Sequence, residues 1–174
     1  MKKIKLIVLD VDGVMTDGSL YLGTNNLEYK RFNAQDGMGI TLAHYAGIKT
    51  AIITGRQSES VAMRSKELKI SYVFQGISNK LEVLANLVEE INIKMEEVCY
   101  MGDDINDIPI LNCVGISCAP SNAVDIVKSS VDFVTQKTGG NGAVREMIEK
   151  VLSNETNLEK LINDFLFNDQ KVIQ

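Results

Sequence analysis

Histidine, cysteine, excess basic charge and long apolar runs are all scarce in this chain, and each scarcity narrows what it can do. Its 174 residues include one histidine, His44, and three cysteines, Cys99, Cys113 and Cys118. The cysteines show no metal-like spacing, and each lies in or beside an apolar segment, as expected of buried thiols in a cytoplasmic protein. His44 falls in an apparent helix from Gly39 to Ala46 with no obvious partner, so packing or surface exposure is expected of it rather than catalysis. The net charge of −5 argues against a nucleic-acid partner and leaves no basic stripe for a membrane surface. No stretch approaches the length of a membrane span. Met1-Lys2-Lys3 is followed by an apolar run that ends at Asp10, too short for a signal peptide. Neither repeats, low-complexity blocks nor linkers interrupt the chain, so one domain over residues 1–174 is expected, long enough to bury a core.

What is present begins with Ile4-Lys5-Leu6-Ile7-Val8-Leu9-Asp10-Val11-Asp12-Gly13. A nearly unbroken Ile/Val/Leu run reads as a strand buried on both faces. It ends in two carboxylates at i and i+2, which an extended backbone turns to the same side, followed by a glycine that lets the chain turn away. Like charges this close repel unless a cation, a proton or chemistry requires them, although Asp-Gly is also ordinary turn material.

Two short alternating runs follow, Ser19–Leu22 and Leu27–Phe32, around Gly23-Thr24-Asn25-Asn26, and predict a β-hairpin. Its exposed edges call for a cover such as another subunit. Asp36-Gly37 then precedes a helix, with Asp36 as its N-cap. Strands are predicted at 49–53, 72–75, 98–101, 114–117 and 132–134. Helices are predicted at 58–68, 80–90, 107–111, 123–128, 142–152 and 158–167. Alternating strands and helices mean an α/β fold, a parallel sheet covered on both faces. The polar end, 168–174, carries no structural signal.

Polar clusters recur where strands end, which is where an open parallel sheet binds ligands. Thr54-Gly55-Arg56 follows the second predicted strand, and a hydroxyl beside a glycine turn can donate several hydrogen bonds to a phosphate. Lys80 starts a helix, where the dipole favours anions, so a phosphate or a paired carboxylate would remove the conflict. Gly102-Asp103-Asp104-Ile105-Asn106-Asp107 gathers three carboxylates and an amide, a hard-oxygen set that suits Mg²⁺ rather than Zn²⁺. Phosphoryl transfer uses this combination, since it needs charge neutralisation and in-line positioning above all.

These motifs, in this order, resemble the haloacid dehalogenase superfamily of aspartyl phosphatases over roughly residues 4–145. The resemblance implies a Rossmann-like doubly wound sheet. It makes Asp10 the nucleophile that becomes an aspartyl-phosphate, and Asp12 the general acid and base. Thr54 and Lys80 would hold the phosphoryl oxygens. Mg²⁺ would be held by Asp10, the Asp12 carbonyl and Asp103, with Asp104 and Asp107 in support.

The absent cap domain, the hairpin insertion within 13–35, Phe32–Ile40 and Gly139–Glu146 are more closely similar to the 3-deoxy-D-manno-octulosonate 8-phosphate phosphatase family. That family implies a cytoplasmic homotetramer with its hairpins at the centre, in which a neighbouring subunit helps close each site. The pathway it implies is the synthesis of lipopolysaccharide. The C-terminal helix and tail, 153–174, belong to the same domain. The implied partner is a small sugar-acid phosphate, with Gly55, Arg56, Arg64 and Asp36 as candidate substrate-binding residues. Arg56 suits a carboxylate and favours the eight-carbon acid over a nine-carbon sugar-acid 9-phosphate, whose phosphatases are expected to carry an acidic residue there. Asn79 stands where this family is expected to have aspartate. Two other classes remain at this point, a receiver-like phospho-acceptor and a catalytically silent oligomerisation module. Asp12 and the hairpin have no place in the first, and the second should have lost Asp10, Asp12 or Lys80.

Overall fold

In the computed structural model, residues 3–24 and 27–169 are described. The expected hairpin tip at Asn25-Asn26 and the tail at 170–174 lie outside them.

Strand β1 (Leu6–Leu9) has every side chain buried, because it lies in the middle of the sheet. It pairs in parallel with β4 (Lys49–Ile53), where Leu9 sits opposite Ile52, and with β6 (Val98–Met101), where Leu9 sits opposite Met101. With β5 (Tyr72–Phe74), β7 (Ile116–Ala119) and β8 (Phe133–Val134) the order is β5-β4-β1-β6-β7-β8, parallel throughout. The two-residue period divides β1 between two cores. Leu6 and Val8 join Leu84 and Leu87 of α3 (Lys80–Glu90) and Ile110 of α4 (Ile108–Leu111). Ile7 and Leu9 join Ile40 of α1 (Ala34–Tyr45), Val61 of α2 (Glu59–Glu67) and Met147 and Ile148 of α6 (Ala143–Glu155). α5 (Asp125–Lys128) lies on the α3 side through Val127, and α7 (Leu158–Asp169) covers the α1 side through Leu161, Ile162 and Phe165. The chain leaves β1 for β4 and β5, then returns to β6, β7 and β8 on its other side. That reversal opens a crevice at the carboxyl ends of β4, β1 and β6.

A hairpin of β2 (Tyr21–Leu22) and β3 (Glu28–Tyr29) stands between β1 and α1, antiparallel and separate from the main sheet. Its ladder is shorter than the sequence alternation suggests. No helix among the described residues is long and apolar enough to cross a membrane.

Several local expectations shift. The α1 helix begins at Ala34, with Asn33 as the cap whose side chain accepts from the Gln35 and Asp36 amides at 2.7 and 3.4 Å. The glycines at 37 and 39 disguised this start, since glycine weakens a helix. Gly39 is there for another reason: a Cβ would come within 3.1 Å of the Arg145 backbone, so its absence lets α1 and α6 pack closely. Strand β7 begins two residues later than expected, because the Gly115 amide turns back to the Met95 and Val98 carbonyls. Cys113 is exposed rather than buried, while Cys99 and Cys118 are fully buried. His44 has a partner after all: its Nε2 lies 2.7 Å from the Thr50 hydroxyl.

Leu84 is completely buried, whereas Met63 on α2 is 74% exposed. Leu84→Ala should therefore lower the unfolding free energy by about 2–5 kcal/mol. Met63→Ala should change it by less than about 0.5 kcal/mol. Urea denaturation with an unchanged m-value is the check, and equal effects at the two positions would contradict this core.

Candidate active site

Asp10 leaves the end of β1 at the crevice and is nearly buried. Its Oδ1 accepts the Val11 amide at 2.7 Å, and its Oδ2 accepts Lys80 Nζ at 2.7 Å. The next turn is made by three amides, of Val14, Met15 and Thr16, that all point to the Val11 carbonyl. Gly13, at φ +84°, must be glycine, because a Cβ there would collide with the Asp103 carboxylate. The loop after β1 and the loop after β6 are thus pressed together at this point.

Lys80 opens α3 with its side chain buried, and its ammonium bridges Asp10 Oδ2 and Asp107 Oδ1, both at 2.7 Å. The helix-dipole conflict is resolved by paired carboxylates. Burial works against the ammonium, but Asp10 and Asp107 outweigh it and hold its pKa above the ordinary lysine value. Asp107 is fully buried and also accepts the Tyr100 hydroxyl at 2.6 Å and the Asp103 and Asp104 amides at 2.9 and 3.3 Å. An ionised carboxylate has about four lone-pair sites, and Asp107 spends them on these four donors. Its place is therefore to orient Lys80 and the Asp103 loop. Asp104 lies exposed at the rim and caps the short turn Ile105–Asp107 through its own carboxylate.

The cleft above these groups has a volume of about 260 Å³ and is lined by Asp10, Asp12, Thr54, Gly55, Arg56 and Asp103, with Gly18, Asp104 and Asn106 at its margin. Thr54 is positioned by the pairing of β4 with β5, its amide donating to the Phe74 carbonyl at 3.0 Å. Asp12 meets Lys30 Nζ at 2.5 Å and Arg56 Nε at 3.7 Å. Arg56 also reaches Glu28, at 2.6 Å.

Two candidates lie elsewhere. Asp36 is neither a cap nor a cleft residue: its carboxylate accepts the Arg145 and Gly142 amides at 2.9 and 3.4 Å and ties α1 to the start of α6. Arg64 pairs with Glu67 at 2.8 Å and donates to the Asn33 carbonyl at 3.3 Å, away from the cleft. Asn79 does not face the cleft either; it caps α3 by accepting the Glu82 amide.

Conversely, sequence reasoning passed over Lys30, Glu28, Tyr100 and Asn122. Asn122 donates to the Gly13 carbonyl at 2.9 Å and accepts the Gly139 amide at 2.6 Å, fastening the loop after β1 to the Gly139-Gly140 turn. No motif announces it. Glu28 and Lys30 had a usable signal, two charges at alternate positions of a predicted strand.

A family model described as haloacid dehalogenase-like hydrolase matches residues 73–148. The 3-deoxy-D-manno-octulosonate 8-phosphate phosphatase of Escherichia coli strain K12 is 42% identical over 159 residues, covering 91% of this chain and 85% of its own. The chain belongs to this phosphatase family. The family's enzyme from Moraxella catarrhalis, solved with a magnesium ion, a phosphate ion and KDO, superposes with a TM-score of 0.90 at 39% identity, covering 93% of each chain. A cobalt-bound family member from Haemophilus influenzae gives 0.84 at 36% identity, covering 87% of this chain and 88% of its own.

A divalent cation fits the residues present. Oxygens of Asp10, Asp103 and Asp107 lie within 4.8 Å of one another. These three carboxylates face one ammonium, so two negative charges are left unbalanced. The imbalance shows in Asp103, whose pKa is pushed up to about 7 by burial and by Asp10, Asp107 and Asp104. With Asp107 saturated by donors, a cation falls to Asp10 and Asp103. Oxygen ligands without nitrogen or sulfur suit Mg²⁺.

A carboxyl whose folded pKa is raised keeps a proton that the unfolded chain has lost, so stability falls as pH rises from about 4 to about 7. Burial and Asp107 raise Asp10 in the same direction, against the pull of Lys80. In chelator, the melting temperature should therefore drop between pH 5 and pH 8. Millimolar Mg²⁺ should raise it at pH 8 and hardly at pH 5, because the cation competes with the proton. Asp103→Asn should remove most of the slope, and an unchanged slope in that variant would refute the assignment to Asp103.

Proposed function

We propose that this chain is a Mg²⁺-dependent phosphatase that cleaves 3-deoxy-D-manno-octulosonate 8-phosphate to the eight-carbon sugar acid and phosphate. The observation that carries this is the convergence of Asp10, Asp12, Thr54, Arg56 and Asp103 on one cleft, with Asp10 held by buried Lys80. The KDO and phosphate named with the Moraxella structure support the same substrate class.

The Asp10 carboxylate attacks phosphorus in line with the ester oxygen. The bond from phosphorus to the sugar oxygen breaks, Asp12 gives its proton to the departing alkoxide, and an acyl phosphate remains on Asp10. Asp12, now ionised, takes a proton from a water that attacks phosphorus. The bond to Asp10 breaks and phosphate leaves. The Thr54 hydroxyl and the Gly55 amide hold phosphoryl oxygens, while Lys80 offsets negative charge on Asp10. When bound by Asp10, Asp103 and the Asp12 carbonyl, Mg²⁺ supplies neutralisation of the phosphoryl charge. Arg56 receives the substrate's carboxylate. A receiver-like phospho-acceptor would leave Asp12 without work, and a silent module would not keep this set intact.

The copies assemble as a homotetramer with the hairpins at the centre. Support comes from Leu20, Tyr21, Leu22, Leu27 and Tyr29, all exposed large apolar side chains of the hairpin segment. The two-stranded sheet also leaves its outer edges unpaired. Light scattering after size exclusion should give four chains, and Leu22→Lys should shift the population to smaller species. A monomer at micromolar concentration would end this part of the proposal.

Phosphate release from eight- and nine-carbon keto-acid phosphates, with Mg²⁺ or chelator, tests the reaction. The eight-carbon substrate should be preferred and chelator should abolish turnover. Asp10→Asn should lose more than about a thousandfold in kcat. A folded Asp10→Asn variant with near-normal turnover would exclude the aspartyl-phosphate route.

A further inference from the structure

The hairpin is not only an outward projection. Glu28, on its second strand, and Lys30, just past that strand, turn inward and close a ring with the cleft residues Asp12 and Arg56. Lys30 Nζ lies 2.5 Å from Asp12 Oδ1 and 2.7 Å from Glu28 Oε1. Glu28 Oε2 lies 2.6 Å from Arg56 Nη2, and Arg56 Nε lies 3.7 Å from Asp12 Oδ2. The Lys30 side chain is 2% exposed and that of Arg56 45%. Lys30 is thus locked between two acids, whereas Arg56, free to swing into water, is held over the cleft by Glu28. Hydrogen bonds from Lys30 and Arg56 draw the Glu28 pKa below the usual carboxylate range, and Glu28 raises that of Arg56, so both groups are ionised.

Resting on the sugar-acid phosphatase function proposed above, we infer that Glu28 is an internal competitor for the substrate's carboxylate on Arg56, and thereby determines affinity for carboxylate-bearing substrates. The two groups are chemically alike, and a substrate carboxylate arriving at Arg56 beside Glu28 would meet a like charge. When substrate takes Arg56, Glu28 keeps its contact with Lys30, so the exchange leaves no charge without a partner. When product departs, Glu28 returns to Arg56 and opposes rebinding. A sugar phosphate without a carboxylate does not use Arg56 and gains nothing from Glu28's removal there. A ring that only stapled the hairpin would affect both kinds of substrate equally.

The experiment is steady-state kinetics of the full chain with Mg²⁺ on the eight-carbon acid phosphate and on a carboxylate-free sugar phosphate. Wild type, Glu28→Gln, Glu28→Ala, Arg56→Gln and Glu28→Gln/Arg56→Gln are compared through the ratio of the two kcat/KM values. Glu28→Gln and Glu28→Ala should raise the ratio about fivefold, through a lower KM for the acid, and Glu28→Gln should leave it unmoved when Arg56 is already glutamine. An unmoved or lower ratio in both single Glu28 variants overturns the competitor role, including the case in which they merely loosen the hairpin. A wild type that hydrolyses no acid phosphate overturns the proposed function instead, so the two failures are distinct.

Discussion

The Lys80 ammonium, buried between Asp10 and Asp107, is the interaction on which the site depends. Burying an ion pair is costly, and removing one partner leaves an uncompensated charge, so such a pair is poor evidence of stability. Here it joins three elements at once: the end of β1, the start of α3 and the turn after β6. Asp107 takes this further by accepting Tyr100 and the amides of Asp103 and Asp104. Asp10 and the Asp103 loop are thus positioned by one polar network. At Asp107 each acceptor site is met by a donor, and polarity satisfied in this way favours a single geometry.

The sheet makes such a network attainable. Parallel strands share a polarity, so the residues just beyond β4, β1 and β6 lie side by side without any element being distorted to bring them there. The excess of acid is the cost of that arrangement. Asp103, raised to about 7, is the group in which that excess is expressed, and a divalent cation is the ligand whose charge corrects it.

Legibility in the sequence tracked distance along the chain. The strand run into Asp10 and Asp12, the helix 80–90 and the acidic stretch 102–107 are local patterns, and the structure keeps them. Asp107 was legible as an acid but not as the buried hub, because its role depends on Tyr100 and Lys80 arriving from other strands. Asp36 and Arg64 looked like site residues because they flank motifs, yet α1 begins earlier than its glycines suggest, and both side chains serve helix contacts. Asn122 binds Gly13 from 109 residues away, and no short pattern encodes a bridge of that length.

The hairpin was legible in outline, and so was its need of a cover; its inward face was not. In Leu27-Glu28-Tyr29-Lys30 the period of two gives one strand two different faces. Tyr29, with its apolar ring exposed, suits a neighbouring copy, while Glu28 and Lys30 face Asp12 and Arg56. A slip of one residue in register would exchange these faces and bury the wrong set. On the proposals above, assembly and recognition of the substrate's carboxylate would lie on opposite sides of this arm of the hairpin. A partner copy seated on Tyr29 would fix the register in which Glu28 meets Arg56. On its own, a two-stranded ribbon has too little pairing to do so. For a domain without a cap, that would be a physical reason for placing Glu28 on the element proposed to join the copies.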